Sequence, residues 1–248
     1  MVLPLPQGVQ VAVVPPGQMQ HLPYRLMGKV TFTNAQGQAD HGTGIVIGPS
    51  TILTAGHCAI DRQTGQQHAN LRFVPATSSA NVAPFGTWNV NFVSVSPRFR
   101  SNPYMVAWDV AALRLDPNAM GQTIGAVLGN QYYAVNIPTA PQGRYRIYGY
   151  PGVVNPYGLN FNGLDLWRCD GAWIYDGTLQ DRVFVSSVLN GGASGGPWFT
   201  MANGIPGSLV SGISAAAISG DPFNPFVIIQ NVSPAFEPWL VDVIRDAS

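Results

Sequence analysis

Short runs in which apolar and polar residues alternate recur through most of the chain, at 29–33, 44–47, 71–74 and 88–95 in its first half. Alternation sends successive side chains to opposite faces of an extended backbone, so each run predicts a half-buried strand. Further β-branched and aromatic runs at 110–115, 145–150, 166–175, 183–188, 208–214 and 226–230 have strand length. Between them lie Gly, Pro, Asn and Ser clusters, such as 75–86 and 151–163, whose composition is that of loops. Many short strands separated by turn signals predict an all-β sandwich or barrel. The tail differs: Ser233-Pro234-Ala235-Phe236-Glu237 reads as an N-cap, a first-turn proline and an acidic first turn. Trp239, Leu240, Val243 and Ile244 then recur at helical spacing and predict a C-terminal helix. The segment 126–142 reads as a link between two β lobes. The expected division is 1–125 for an N-terminal segment and first lobe, and 126–248 for the second lobe and helix.

Composition narrows the function classes. Of 248 residues, 46% are apolar and only 10% charged, with a formal net charge of +0, against roughly 25% charged in ordinary globular domains. The basic residues are scattered, so no electrostatic footprint for nucleic acid or anionic membrane is visible. No run approaches the roughly 20 apolar residues of a membrane span. The opening 1–18 is apolar but broken by prolines and lacks the basic start of an export signal. His and acidic residues do not cluster at metal-ligand spacings, so neither metal nor cofactor is expected. Two cysteines, Cys58 and Cys169, are too few for a disulfide framework or a zinc cage.

Three segments carry candidate chemistry. Gly191-Gly192-Ala193-Ser194-Gly195-Gly196-Pro197 sets one serine in a glycine-dense turn, where backbone N–H groups can converge on an oxyanion beside a nucleophile. It also fits the G-x-S-x-G elbow of α/β-hydrolases, in which the base follows the serine. Here all four histidines, His21, His41, His57 and His68, precede Ser194, which excludes that fold. A serine needs a base within hydrogen-bond reach. His57 ends an apolar strand among small residues, in Thr54-Ala55-Gly56-His57-Cys58, whereas the other three histidines read as surface residues. The base in turn needs a partly buried carboxylate to fix its tautomer. Asp109, opening the apolar run Asp109-Val110-Ala111-Ala112-Leu113, is the candidate.

Together the three segments, in the order His, Asp, Ser, resemble the chymotrypsin-like serine peptidases. The resemblance spans about Tyr24 to the terminal helix. Phe73-Val74-Pro75, Phe85-Gly86-Thr87-Trp88 and Tyr148-Gly149-Tyr150-Pro151 are similar to segments of the bacterial glutamyl-endopeptidase-like branch. The resemblance implies two six-stranded antiparallel β barrels with the active site in the cleft between them. It implies a serine endopeptidase with His57, Asp109 and Ser194 as catalytic residues and an oxyanion hole from the N–H groups of Gly192 and Ser194. Substrates would be proteins or peptides, and the enzyme a secreted monomer whose signal is absent from this sequence. The sequence also departs from the family. Ala193 replaces the acidic residue that pairs with a new N-terminus in digestive members. The family's disulfide partner for Cys58 would fall at Gly42, so two unbridged cysteines are expected. The His of glutamyl members would fall at Ser214. With Val188, Leu189, Ser214 and Ala215 as substrate-binding residues, the pocket before the cut offers no charge and an uncharged, apolar side chain is expected there. A catalytically silent, peptidase-like binding protein is the alternative.

Overall fold

The computed structural model describes residues 2–135, 143–174, 182–202, 205–206, 209–210, 212–220, 228–234, 236 and 238–248. The fold is mostly β, and its strands sort into two lobes. A first strand, β1 (Gln10–Val13), precedes six that close into a barrel. These are β2 (Met27–Thr33), β3 (Ala39–Val46), β4 (Thr51–Thr54), β5 (Ala69–Pro75), β6 (Trp88–Val95) and β7 (Ala111–Leu115), joined in the order β2-β3-β4-β7-β6-β5. In β2 the alternation becomes burial: Met27, Val30 and Phe32 face the core while Lys29, Thr31 and Thr33 stay half-buried. β4, Thr-Ile-Leu-Thr, is buried throughout because it lies between β3 and β7, with Thr51 also donating to the Ala247 carbonyl at 3.1 Å.

The second lobe is built from β8 (Ala134–Val135), β9 (Arg144–Gly149), β10 (Trp167–Ile174), β11 (Arg182–Ser186), β12 (Pro197–Ala202), β13 (Ile205–Pro206), β14 (Leu209–Val210), β15 (Gly212–Ile213), β16 (Ala216–Ser219) and β17 (Ile228–Pro234). Its main sheet runs β13-β12-β9-β10-β11-β17-β16, with β15 on β12 and the N-terminal β1 on β10. Tyr145, Ile147, Cys169, Val185, Val188 and Trp198 are buried at its centre. Facing Arg146 and Asp170, directly paired across β9 and β10, form a two-pronged ion pair with both distances 2.6 Å.

Three short helices complete the described chain: α1 (Pro97–Ser101), α2 (Ile124–Val127) and the C-terminal α3 (Trp239–Asp246). The helix starts later than the capping pattern at Ser233 suggests. Ser233 remains in β17, where its hydroxyl accepts the Ile213 N–H at 2.9 Å and donates to the Pro234 carbonyl at 2.9 Å, so it is not an N-cap. The β1 strand was not evident from the sequence either. Its four residues pair with 167–170, so this part of the proline-broken leader is a component of the second sheet. Residues 136–142 of the expected link lie outside the described residues.

Candidate active site

His57 sits in a single 3₁₀ turn (Gly56–Cys58) directly after β4, and Asp109 caps a second such turn (Val106–Trp108) just before β7. Because β4 and β7 are neighbours, with Thr54 opposite Ala111, the two turns emerge side by side from the same end of the barrel. Asp109 is fully buried, and both its carboxylate oxygens meet this neighbour. Oδ1 accepts the backbone N–H of His57 at 2.8 Å, and Oδ2 lies 2.8 Å from His57 Nδ1. A carboxylate can only accept, so Nδ1 carries a proton, and in the neutral imidazole Nε2 is the nitrogen left with a lone pair. Burial by itself would depress the imidazole below its usual 6.5, but the Asp109 carboxylate, with Cys58 adding to it, outweighs burial and the His57 pKa is raised. Gly56 makes the approach possible: a Cβ there would lie 3.0 Å from Asp109 Oδ1 and 2.5 Å from the buried ring of Phe99. Behind Asp109, Trp108 packs on Trp239 of α3, with ring centroids 4.8 Å apart, and under the guanidinium of Arg98.

The glycine turn comes from the second lobe and is bolted to the first. Ser194 O accepts the N–H of Thr43 at 2.6 Å and faces the thiol of Cys58, the residue after His57, at 3.7 Å. Thr43 Oγ1 donates to the Gly192 carbonyl at 2.9 Å and accepts the Tyr150 N–H at 3.0 Å. Within the turn, the N–H groups of Ala193, Gly195 and Gly196 are used, donating to Asn190, Ser214 and Ala193 respectively. Among the described residues, those of Gly192 and Ser194 make no hydrogen bond. Their direction follows from the peptide plane. The Gly191 carbonyl accepts from Gly152 at 2.7 Å and the Ala193 carbonyl from Gly196 at 2.9 Å, and in a trans peptide the N–H points opposite to the carbonyl. The Gly192 and Ser194 N–H groups are therefore turned away from both acceptors and left available. Gly192 at φ +95° and Gly195 at φ +81° hold the backbone conformation that this requires.

Comparisons to known proteins bear on the family and the fold. A family profile, described as a trypsin-like peptidase domain, matches residues 42–205. The chain belongs to the trypsin-like peptidase family. It is 28% identical over 186 residues to a glutamyl endopeptidase of Staphylococcus epidermidis, covering 75% of this chain and 59% of that protein's length. The thermostable serine protease AL20 from an extremophilic microorganism superposes with a TM-score of 0.77 at 25% identity, over 90% of this chain and 97% of that one. A Glu endopeptidase structure shares the fold at a TM-score of 0.73 and 21% identity, over 96% and 95% of the two chains. The peptidase fold of this family is thus the all-β, two-lobed architecture expected from the sequence.

The remaining expected residues of the peptidase domain fall behind the serine turn. Ser214 exchanges backbone hydrogen bonds with Gly195 and Gly196, while its hydroxyl accepts the indole N–H of Trp198 at 2.9 Å. Val188 and Leu189 are fully buried in the core of the second lobe, and Ala215 is tied through its N–H to the Val232 carbonyl. Asn231 closes this region, donating from Nδ2 to the Leu189 carbonyl at 2.9 Å, with its Oδ1 buried and unpartnered. Ser194 Oγ makes no hydrogen bond to His57 in this structure, and such bonds are commonly long without substrate.

Two histidines read as surface residues are not. His41 contacts the Tyr150 carbonyl through Nε2 at 2.9 Å and is packed against Gly152, Gly163 and Gly192. His68 is buried, stacked 4.4 Å from Phe32, with Nε2 3.1 Å from the His57 carbonyl. Burial lowers the pKa of both, with Lys29 adding to the effect on His41. Their polar sequence neighbours hid partners supplied by distant loops. Cys58 and Cys169 are both free and buried. Burial pushes the Cys169 thiol up to about 11, which removes it as a nucleophile. Sequence reasoning missed Arg62 entirely: its Nη2 donates to Asp109 Oδ2 at 2.5 Å, from a polar loop stretch that carries no distinguishing signal.

Proposed function

We propose that the protein is a serine endopeptidase that cuts peptide bonds through an acyl-enzyme on Ser194. The observation that carries this reading is the His57–Asp109 pair, with Nδ1 on the carboxylate at 2.8 Å, set beside a serine turn with two free N–H groups. Ser194 Oγ attacks the scissile carbonyl carbon while His57 Nε2 takes its proton. The resulting oxyanion is held by the N–H groups of Gly192 and Ser194, each donor of this kind contributing about 10²- to 10³-fold in rate. The imidazolium returns the proton to the leaving amine, and water, activated by the same His57, releases the acyl group. Asp109 fixes the tautomer and balances the transient positive charge.

For the residue before the cut, an uncharged, apolar side chain is favoured. Val188, Leu189 and Ala215 bring no charge, and Ser214 holds its hydroxyl on Trp198. The likeness to a glutamyl endopeptidase supports a second reading, preference for Glu. Protein substrates and a sparsely charged chain fit a secreted monomer. No helix among the described residues is long and apolar enough to cross a membrane.

The test is a cleavage map on a proteome-derived peptide library, run beside Ser194→Ala. Cuts after apolar residues that vanish in the variant are expected. Efficient cleavage only after Glu, Arg or Lys would overturn the specificity reading. Absence of Ser194-dependent cuts, with no labelling by a phosphonylating serine probe, would leave a silent binding protein.

A further inference from the structure

Asp109 Oδ2 has two donors, not one. The imidazole N–H of His57 approaches it at 2.8 Å and Arg62 Nη2 at 2.5 Å. The same Nη2 lies 3.2 Å from His57 Nδ1. Both nitrogens are donors once Nδ1 faces the carboxylate, so this second contact is not a bond but a close approach of a fixed cation to the base. Arg62 is held there rather than passing by: its side chain is 30% exposed and its Nε is buried without a partner. An arginine gives up that hydration only against a compensating charge, which here is Asp109.

We propose that Arg62 is a positioning residue for the base, dividing the Asp109 charge between itself and His57 so that the imidazole is freed for catalysis at lower pH. The inference rests on reading His57 as the base and Asp109 as its orienting acid. A lone buried Asp109 would lend its whole charge to the imidazolium. With Arg62 at the same oxygen, protonating His57 places a second cation about 3 Å from the guanidinium, and that state is disfavoured. The other groups around His57 do not perform this task. The Cys58 thiol is directed at the Ser194 carbonyl, and His68, disfavoured as a cation by burial, contacts the His57 carbonyl. Across an open cavity of about 340 Å³ stand Asp40, Asp61 and Tyr104. Asp40 accepts the His41 N–H, and Asp61 accepts from Gln63 and Thr64. Arg62 is the one permanent cation lining this cavity among the described residues.

The experiment reads the protonation of His57 directly, by NMR titration of its ring signals in the Ser194→Ala protein, with and without Arg62→Gln. The pH profile of kcat/KM is measured in parallel with Ser194 intact. Removing the cation is expected to move the His57 midpoint and the acid limb of activity upward by about one pH unit, discounted for the partial exposure of Arg62. Arg62→Met, which keeps the aliphatic stem, carries the same expectation, so a folding failure of one variant leaves the other. Arg62→Lys restores the charge and should return both values to within a few tenths of a unit. If Arg62 merely props its loop, kcat/KM falls equally at every pH and the midpoint stays put, which overturns the proposal. A lysine variant that behaves like the glutamine one also overturns it. A midpoint that shifts in a protein without Ser194-dependent turnover would sustain the role of Arg62 and sink the peptidase reading instead.

Discussion

Replacing Gly42 by Cys should create a disulfide to Cys58 that stabilises the first barrel while crowding the Ser194 turn. A Cβ built on Gly42 lies 3.3 Å from Cys58 Cβ and points at its Sγ. Disulfides require a Cβ separation of roughly 3.5 to 4.5 Å, so the two strand ends need to part by only a few tenths of an ångström. Closing a loop of about 16 residues in the unfolded chain contributes about 3 kcal/mol in the chain-entropy model. In a domain of this size that corresponds to a rise in melting temperature of about 6 to 12 °C, before strain is subtracted. The same Cβ would stand 2.9 Å from the Ser194 carbonyl, which is fixed by Thr43. Gly42→Ala shares that collision without gaining a bond, and overpacking of this kind costs about 1 to 3 kcal/mol.

The assay is a thermal melt of each variant with and without reductant, together with a thiol count in denaturant. Oxidised Gly42→Cys should titrate one thiol, belonging to Cys169, and melt above its own reduced form, whereas Gly42→Ala should melt below the parent under both conditions. Three titratable thiols after oxidation would show that residues 42 and 58 do not face each other. Coincident melts of the oxidised and reduced forms would show that the bridge gives no net stabilisation. Either result would refute the reasoning.

Three further expectations follow from the packing around the site. Gly56→Ala should lower stability by about 1 to 3 kcal/mol, because neither the Phe99 ring at 2.5 Å nor Asp109 can retreat; denaturant melts measure the loss. Asp165 would have its pKa raised by burial alone, but hydrogen bonds from Asn162 and Ser79 hold it below the usual 3.8. Its stabilisation is thus present above that value and is lost as pH falls through the lower folded pKa. Asp165→Asn should then flatten the acid end of a stability-against-pH series, and an unchanged slope below about pH 4 would refute this. Thr43→Val should lower stability by about 1 to 3 kcal/mol, since it leaves the buried Tyr150 N–H and the half-buried Gly192 carbonyl without this partner; chemical denaturation checks the value.

The residues proposed to bear chemistry stand out in the sequence because their constraints are local. Ser194 needs glycines beside it, and His57 needs small residues before it. Asp109 betrays itself as a charge at the head of the apolar run that becomes β7. Strand alternation likewise exposed the barrel, since each half-buried run must carry its own period. What the sequence concealed depends on contacts between distant segments. Arg62 meets Asp109 across 47 positions, Asn231 meets Leu189 across 42, and His41 meets Tyr150 across 109. None of these polar side chains has neighbours that foretell burial. Ser233 misled for the opposite reason: its local pattern suits a cap, but the Ile213 N–H claims its hydroxyl and keeps the chain extended.

Thr43 shows how the two lobes act as one site. His57 and Asp109 belong to the first barrel and the Ser194 turn to the second lobe, so the proposed site depends on a joint that no single lobe specifies. Thr43 brings three hydrogen-bonding groups to that joint and makes four hydrogen bonds with them. Its N–H holds Ser194, its hydroxyl holds Gly192 and accepts from Tyr150, and its carbonyl accepts from Thr54 at 2.7 Å. Thr54 lies three residues before His57 and opposite Ala111, two residues after Asp109. The strand that leads to His57 and the turn that carries Ser194 are therefore hydrogen-bonded to the same residue. A shift of the Gly192 and Ser194 N–H groups relative to His57 must break one of these bonds, at about 1 to 3 kcal/mol for a buried group left behind. Rigidity of that order is what pre-organised N–H donors need, because their contribution to rate comes from being aimed before the charge develops.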